Sequence, residues 1–188
     1  MERRELLKMI ALATGGLFIG GEMLLSGCKN APKLGGPGFT DADISFLDEV
    51  AETILPRTST PGAKDAGVGR FMTVMVNDCY TETDQKVFHE GIGKLDQASK
   101  DKYKKSFLDA SAAERTELLT ELDKEAKEYQ SSKKGEDPNH YFTQMKQLTL
   151  FGFFTSEKGS KEVLRHNPVP GKYNGALPYK KGDRLWAE

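Results

Sequence analysis

Between Thr40 and Phe154, apolar residues return three and four positions apart, and no alternating strand pattern of any length appears. That is the period of a helix with one buried face, and it excludes a half-buried sheet. Ile44, Leu47, Ala51 and Ile54 make the first stripe, and Val68, Phe71, Met72 and Met75 the second. Val87, Phe88, Ile92 and Leu95 make the third, and Leu118, Leu119, Leu122, Ala126 and Tyr129 the fourth. Tyr141, Phe142, Met145, Leu148 and Gly152 make a last strong helix that runs into Phe153 and Phe154, both expected in the core. Polar residues punctuate the stripes. Thr40 stands before Asp41 and Asp43, Thr81 stands three residues before Asp84, and Ser111 and Glu114 have capping-box spacing. The predicted fold is mainly α: a single compact helical domain of five or six helices over residues 39–188, without an internal repeat.

Two segments break the pattern. Pro56 to Gly67 is a loop of about a dozen residues dense in Pro, Gly, Ser and Thr, and loops of that length are often functional. Beyond Arg165 the chain reads Pro168-Val169-Pro170-Gly171-Lys172-Tyr173-Asn174-Gly175-Ala176-Leu177-Pro178-Tyr179, an irregular Pro/Gly/aromatic tail. Neither looks like a simple connector.

The N-terminus reads as an address. Arg3 and Arg4, with Leu7 and Lys8 behind them, precede a weakly apolar run diluted by Gly15, Gly16, Gly20, Gly21 and Glu22. This fits a twin-arginine export signal better than a spanning helix, in which a central charge costs about 2.5–3.5 kcal/mol. Leu25-Ser26-Gly27-Cys28 fits a lipoprotein cleavage site, with Cys28 taking the lipid. Residues 1–27 are therefore expected to be a signal peptide and residues 28–38, rich in Gly and Pro, a flexible tether. The expected location is the cell envelope, on the periplasmic side, with the membrane and the twin-arginine translocase as partners.

The formal net charge is −1, and the signal's Arg3, Arg4 and Lys8 balance its Glu2, Glu5 and Glu22, so the mature chain keeps that value. Such a balance gives no electrostatic case for nucleic acid. With Cys28 acylated, Cys79 has no partner in the chain and is expected to be a buried structural thiol. His89, His140 and His166 show no metal spacing, and solvated or half-buried histidines are expected. Ser156 lacks the context of a nucleophile elbow and reads as a cap or turn residue. There is no Gly-x-Gly-x-x-Gly after a strand, no phosphate-loop motif and no haem-attachment motif. No catalytic, cofactor-binding or metal residues are assigned.

Three blocks resemble the gluconate 2-dehydrogenase subunit 3 family: Glu52–Val68, Leu148–Glu157 and Pro168–Tyr179. They lie in order across nearly the whole mature chain. The resemblance implies a small accessory subunit of a membrane-associated flavin dehydrogenase, with no redox cofactor of its own. FAD would sit in a large partner subunit that oxidises a sugar, sugar acid or alcohol, and a cytochrome subunit could take the electrons onward. A lipoprotein signal is not general in that family, so here the lipid would stand in for a membrane-bound partner. Under this reading the loop and the tail are the candidate contacts with the flavin subunit, through Pro61, Gly62, Tyr173 and Tyr179. A free-standing exported lipoprotein, acting as a scaffold or ligand-binding module, stays open as the alternative, and an enzyme in its own right as a third.

Overall fold

The computed structural model describes residues 34–36, 38–169, 171–172 and 174–187. Arg3, Arg4, Cys28 and Tyr173 lie outside them. The described residues form five α-helices: α1 (Asp41–Ile54), α2 (Val68–Cys79), α3 (Glu82–Tyr103), α4 (Ala112–Ser132) and α5 (Tyr141–Thr155). A single 3-10 turn at Lys64–Ala66 leads into α2, and a π-helical turn at Lys158–Val163 follows α5.

The polar punctuation does what its chemistry requires. The Thr40 hydroxyl accepts the N–H of Asp43 at 3.2 Å, and the Asp43 carboxylate accepts the N–H of Thr40 at 2.8 Å, closing a capping box on α1. Ser111 and Glu114 close another on α4, and Thr81 caps α3. Each end satisfies N–H groups that have no partner within the helix.

Helix α5 is the axis of the bundle and packs against all four other helices. Its Tyr141, Phe142, Met145, Leu148 and Phe153 are buried. Around them lie Phe46, Leu47 and Val50 from α1, Met72 and Val76 from α2, Phe88, Ile92 and Leu95 from α3, and Leu118, Leu119 and Leu122 from α4. At roughly 1.5–3 kcal/mol per fully buried large apolar side chain, this single core drives the fold.

Several expectations need correction. Cys79 is exposed. Helix α2 ends at that residue, and the side chain packed against the core there is the next one, Tyr80. Phe153 is buried but Phe154 is not. The tail is not wholly irregular, because Arg165–His166 pairs in parallel with Trp186–Ala187. Of the expected 28–38 tether only residues 34–36 and 38 are described, and that part is packed at Leu34 and Gly35. Leu34 and Phe39 pack against the core, and the Gly35 N–H donates to Asp43 at 2.9 Å.

Candidate functional site

The Pro56–Gly67 loop is braced from below by α1. The Glu52 carboxylate accepts the N–H groups of Arg57 at 2.8 Å and Lys64 at 2.9 Å, so it spans the neck of the loop. Asp65 accepts the Gly62 N–H at 2.9 Å and grips the Arg57 guanidinium through both oxygens. That two-pronged pair holds the Asp65 carboxyl below its ordinary range and pushes Arg57 up. Gly62 is buried, and a Cβ there would stand 2.6 Å from the Arg57 nitrogen and against both oxygens of Glu52. Pro61 is half-buried. This loop presents Pro56 to Thr60, Lys64 and Gly67 to solvent.

Beside the loop lies a cleft of about 320 Å3 lined by Ser45, Asp48, Glu49, Lys64, Leu108 and Arg115. Three of its four charged side chains, Glu49, Lys64 and Arg115, are engaged with one another. Glu49 accepts from Lys64 and, at 2.6 Å, from Arg115, while Arg115 also donates to the Phe107 carbonyl at 3.0 Å. The Lys64 hydrogen bond, with Arg115 adding to it, holds Glu49 below the usual carboxylate range. Burial pushes Asp48 up, against the N–H that it receives from Gly69 at 2.8 Å. The cleft is thus a brace joining α1, the loop and α4. It offers neither a nucleophile beside a base nor a pair of free carboxylates. Among the described residues no cluster of His, Cys, Asp and Glu is arranged to hold a metal ion, and no helix is long and apolar enough to cross a membrane.

The histidines have local roles. His140 caps α5 by accepting the Phe142 N–H at 3.3 Å and packs between Tyr129 and Tyr141. His89 stacks on Phe39 with ring centroids 4.2 Å apart. His166 is exposed on the short strand. The Ser156 hydroxyl donates to the Phe153 carbonyl at 2.6 Å and accepts the Gly159 N–H at 3.0 Å, as a turn residue does.

The tail is tied at both ends. Arg165 donates its N–H to the Leu185 carbonyl and Asn167 to that of Ala187, each at 2.8 Å. The Arg165 guanidinium lies 4.6 Å from the centre of the Trp186 ring. Between these ends the chain holds apolar side chains out: Val169, Leu177, Tyr179 (72% exposed) and Leu185.

A second apolar surface went unread in the sequence. The C-terminal half of α5, Leu148 to Phe154, is apolar nearly all round, a pattern that belongs to a helix buried on every side. Yet Leu150, Phe151 (52% exposed) and Phe154 face outward. On α2 the exposed Val74 and the half-buried Phe71 and Met75 lie at helical spacing, and the Phe71 and Phe151 rings meet edge to face at 5.7 Å. The signal was present in Leu150-Phe151-Gly152-Phe153-Phe154: five residues of a helix cannot all turn to one core.

A model of the gluconate 2-dehydrogenase subunit 3 family matches residues 41–171. The chain belongs to that family. No curated protein and no solved structure matches it. The matched span of this subunit 3 chain begins with α1, takes in the braced loop and all five helices, and ends at Gly171, partway through the Pro168–Tyr179 block. Membership in a family of dehydrogenase subunits implies partner subunits, and the outward apolar face of α5 and α2 is a surface on which a partner could rest.

Proposed function

We propose that this protein is a non-catalytic small subunit of a FAD-containing dehydrogenase that acts on a sugar, sugar acid or alcohol. It binds the folded flavin subunit, escorts it through the twin-arginine translocase and holds it at the membrane by lipid on Cys28. The observation that carries this reading is the uncovered face of α5, in a chain of the subunit 3 family. Large aromatic side chains are enriched where proteins meet, and Phe151, Phe154 and Tyr179 supply three. The engaged charges of the Glu49 cleft favour an accessory role over catalysis.

Export in the folded state suits such a complex, because FAD is inserted where it is made. Replacing Arg3 and Arg4 together by lysine should leave both subunits in the cytoplasm. Cys28→Ala should release the complex from the membrane. A cytochrome subunit would be the next carrier of the electrons.

Purification of the tagged protein from membranes, with the absorption spectrum and mass spectrum of whatever co-elutes, tests the reading directly. A co-eluting flavoprotein with sugar or alcohol dehydrogenase activity is the expected result. Recovery of this chain alone from gently solubilised membranes would leave it a free-standing lipoprotein.

A further inference from the structure

The residues ahead of α1 form a latch. Gly35 has φ +73°, and a Cβ there would run into the His89 carbonyl oxygen, so a side chain at this position is opposed by both backbone and space. The Gly35 N–H donates to Asp43 at 2.9 Å, and Asp43 itself is fully buried. Four residues on, Phe39 stacks on His89 and meets the Phe88 ring edge to face at 6.0 Å. Leu34 packs against the core. The chain is therefore fastened to α1 and to the middle of α3 at Leu34, Gly35 and Phe39, so no more than residues 28–33 of the expected 28–38 tether separate Cys28 from the first fastened residue.

That shortening has a geometric consequence, which rests on the proposal that Cys28 carries lipid. Six steps along the chain from Cys28 to Leu34 span at most about 20 Å when fully extended. A compact domain of this size is roughly 40 Å across. The exit point at Leu34 cannot then lie on the side of the domain that faces away from the bilayer.

We propose that the face formed by the Leu34–Phe39 latch and the middle of α3 is apposed to the lipid surface. The occupant of this face is a bilayer headgroup layer, selected by tether length. Charge does not select it, since the exposed Glu90 and Lys94 beside the latch pair with each other at 3.3 Å. Apposition should accordingly be insensitive to salt.

The test uses the full acylated protein in vesicles that carry nitroxide-labelled headgroups. A fluorophore is placed at Glu90→Cys in a Cys79→Ser background, with Lys94→Cys as a second site. Loss of emission at both sites is expected. A ten-residue Gly-Ser insertion after Asn30 should restore the emission. Gly35→Ala should do the same with helix content unchanged, because an open latch adds residues 34–39 to the tether. Bright probes at both sites in protein whose Cys28 is acylated by mass spectrometry would overturn this orientation alone. An unmodified Cys28 would overturn the anchor and the orientation together. Quenching that survives both the insertion and Gly35→Ala would show lipid binding independent of the tether, and would overturn the tethering account.

Discussion

The ring of Tyr141 rests on the backbone of Gly91, where a Cβ would stand 2.7 Å from Cγ and 2.8 Å from Cδ2 of the tyrosine. Both residues are buried where α3 meets α5. Glycine inside a helix ordinarily costs about 0.5–1 kcal/mol relative to alanine, so Gly91→Ala in isolation would stabilise α3. Here overpacking, at about 1–3 kcal/mol, outweighs that gain. Gly91→Ala should lower the thermal midpoint. The opposite sign would mean that α3 and α5 separate easily.

Asp43 joins the first helix to the latch. One carboxylate accepts from the Gly35 N–H, the Thr40 N–H and the Thr40 hydroxyl, the last at 2.6 Å. Removing a buried acceptor leaves its donors unsatisfied, and Asp43→Ala should cost about 2–4 kcal/mol in urea unfolding. Hydrogen exchange should show residues 34–40 opening first.

The cleft acids should respond to pH with opposite signs. Lys64, and then Arg115, hold Glu49 below its ordinary value. Its contribution is therefore present above the unfolded carboxylate range and is lost as pH falls through the lowered folded value. Glu49→Gln should destabilise by about 1–3 kcal/mol at about pH 7, with the gap closing as the pH falls below the ordinary carboxylate range. Burial raises Asp48, so its contribution is present below the unfolded value and is lost as pH rises through the raised folded value. Asp48→Asn keeps an acceptor for the Gly69 N–H and should be as stable as the parent, or more so, at neutral pH. Urea titrations across the carboxylate range check both.

The outward aromatics should matter more for partners than for folding. Phe151→Ser and Phe154→Ser together should lower the thermal midpoint only slightly, since both side chains are part exposed and lose within the chain their edge-to-face contacts with Phe71 and Phe153. Each buried interface aromatic can contribute about 2 kcal/mol or more. The double variant, and separately Tyr179→Ala, should then retain less flavin subunit on co-purification. Wild-type retention by all of them would remove both surfaces from the interface.

What could be read from the residues was local. Thr40 with Asp43, Thr81 with Asp84, and Ser111 with Glu114 mark three helix starts, because capping is decided within four residues. The buried stripes followed from period alone. Exposure of Cys79 and Phe154 depends on where neighbouring helices end, which no local window contains. The contact of Gly62 with Glu52 spans ten positions, and the pairing of Arg165 with Trp186 spans twenty-one. The outward face of α5 looked like core because apolar residues that stay exposed have the same composition as those that are buried.

Arg165 and Trp186 turn the tail into a handle attached at both ends. A free arm of twenty residues would have to surrender its freedom on docking, at about 1–2 kcal/mol of backbone entropy for each residue ordered. A handle whose ends are already joined surrenders less, so more of the contact energy of Tyr179 and Leu177 would appear as affinity. A single protease cut anywhere between Asn167 and Leu185 would undo that advantage without touching the helical core. The nicked subunit would unfold at the same temperature and let go of its partner sooner.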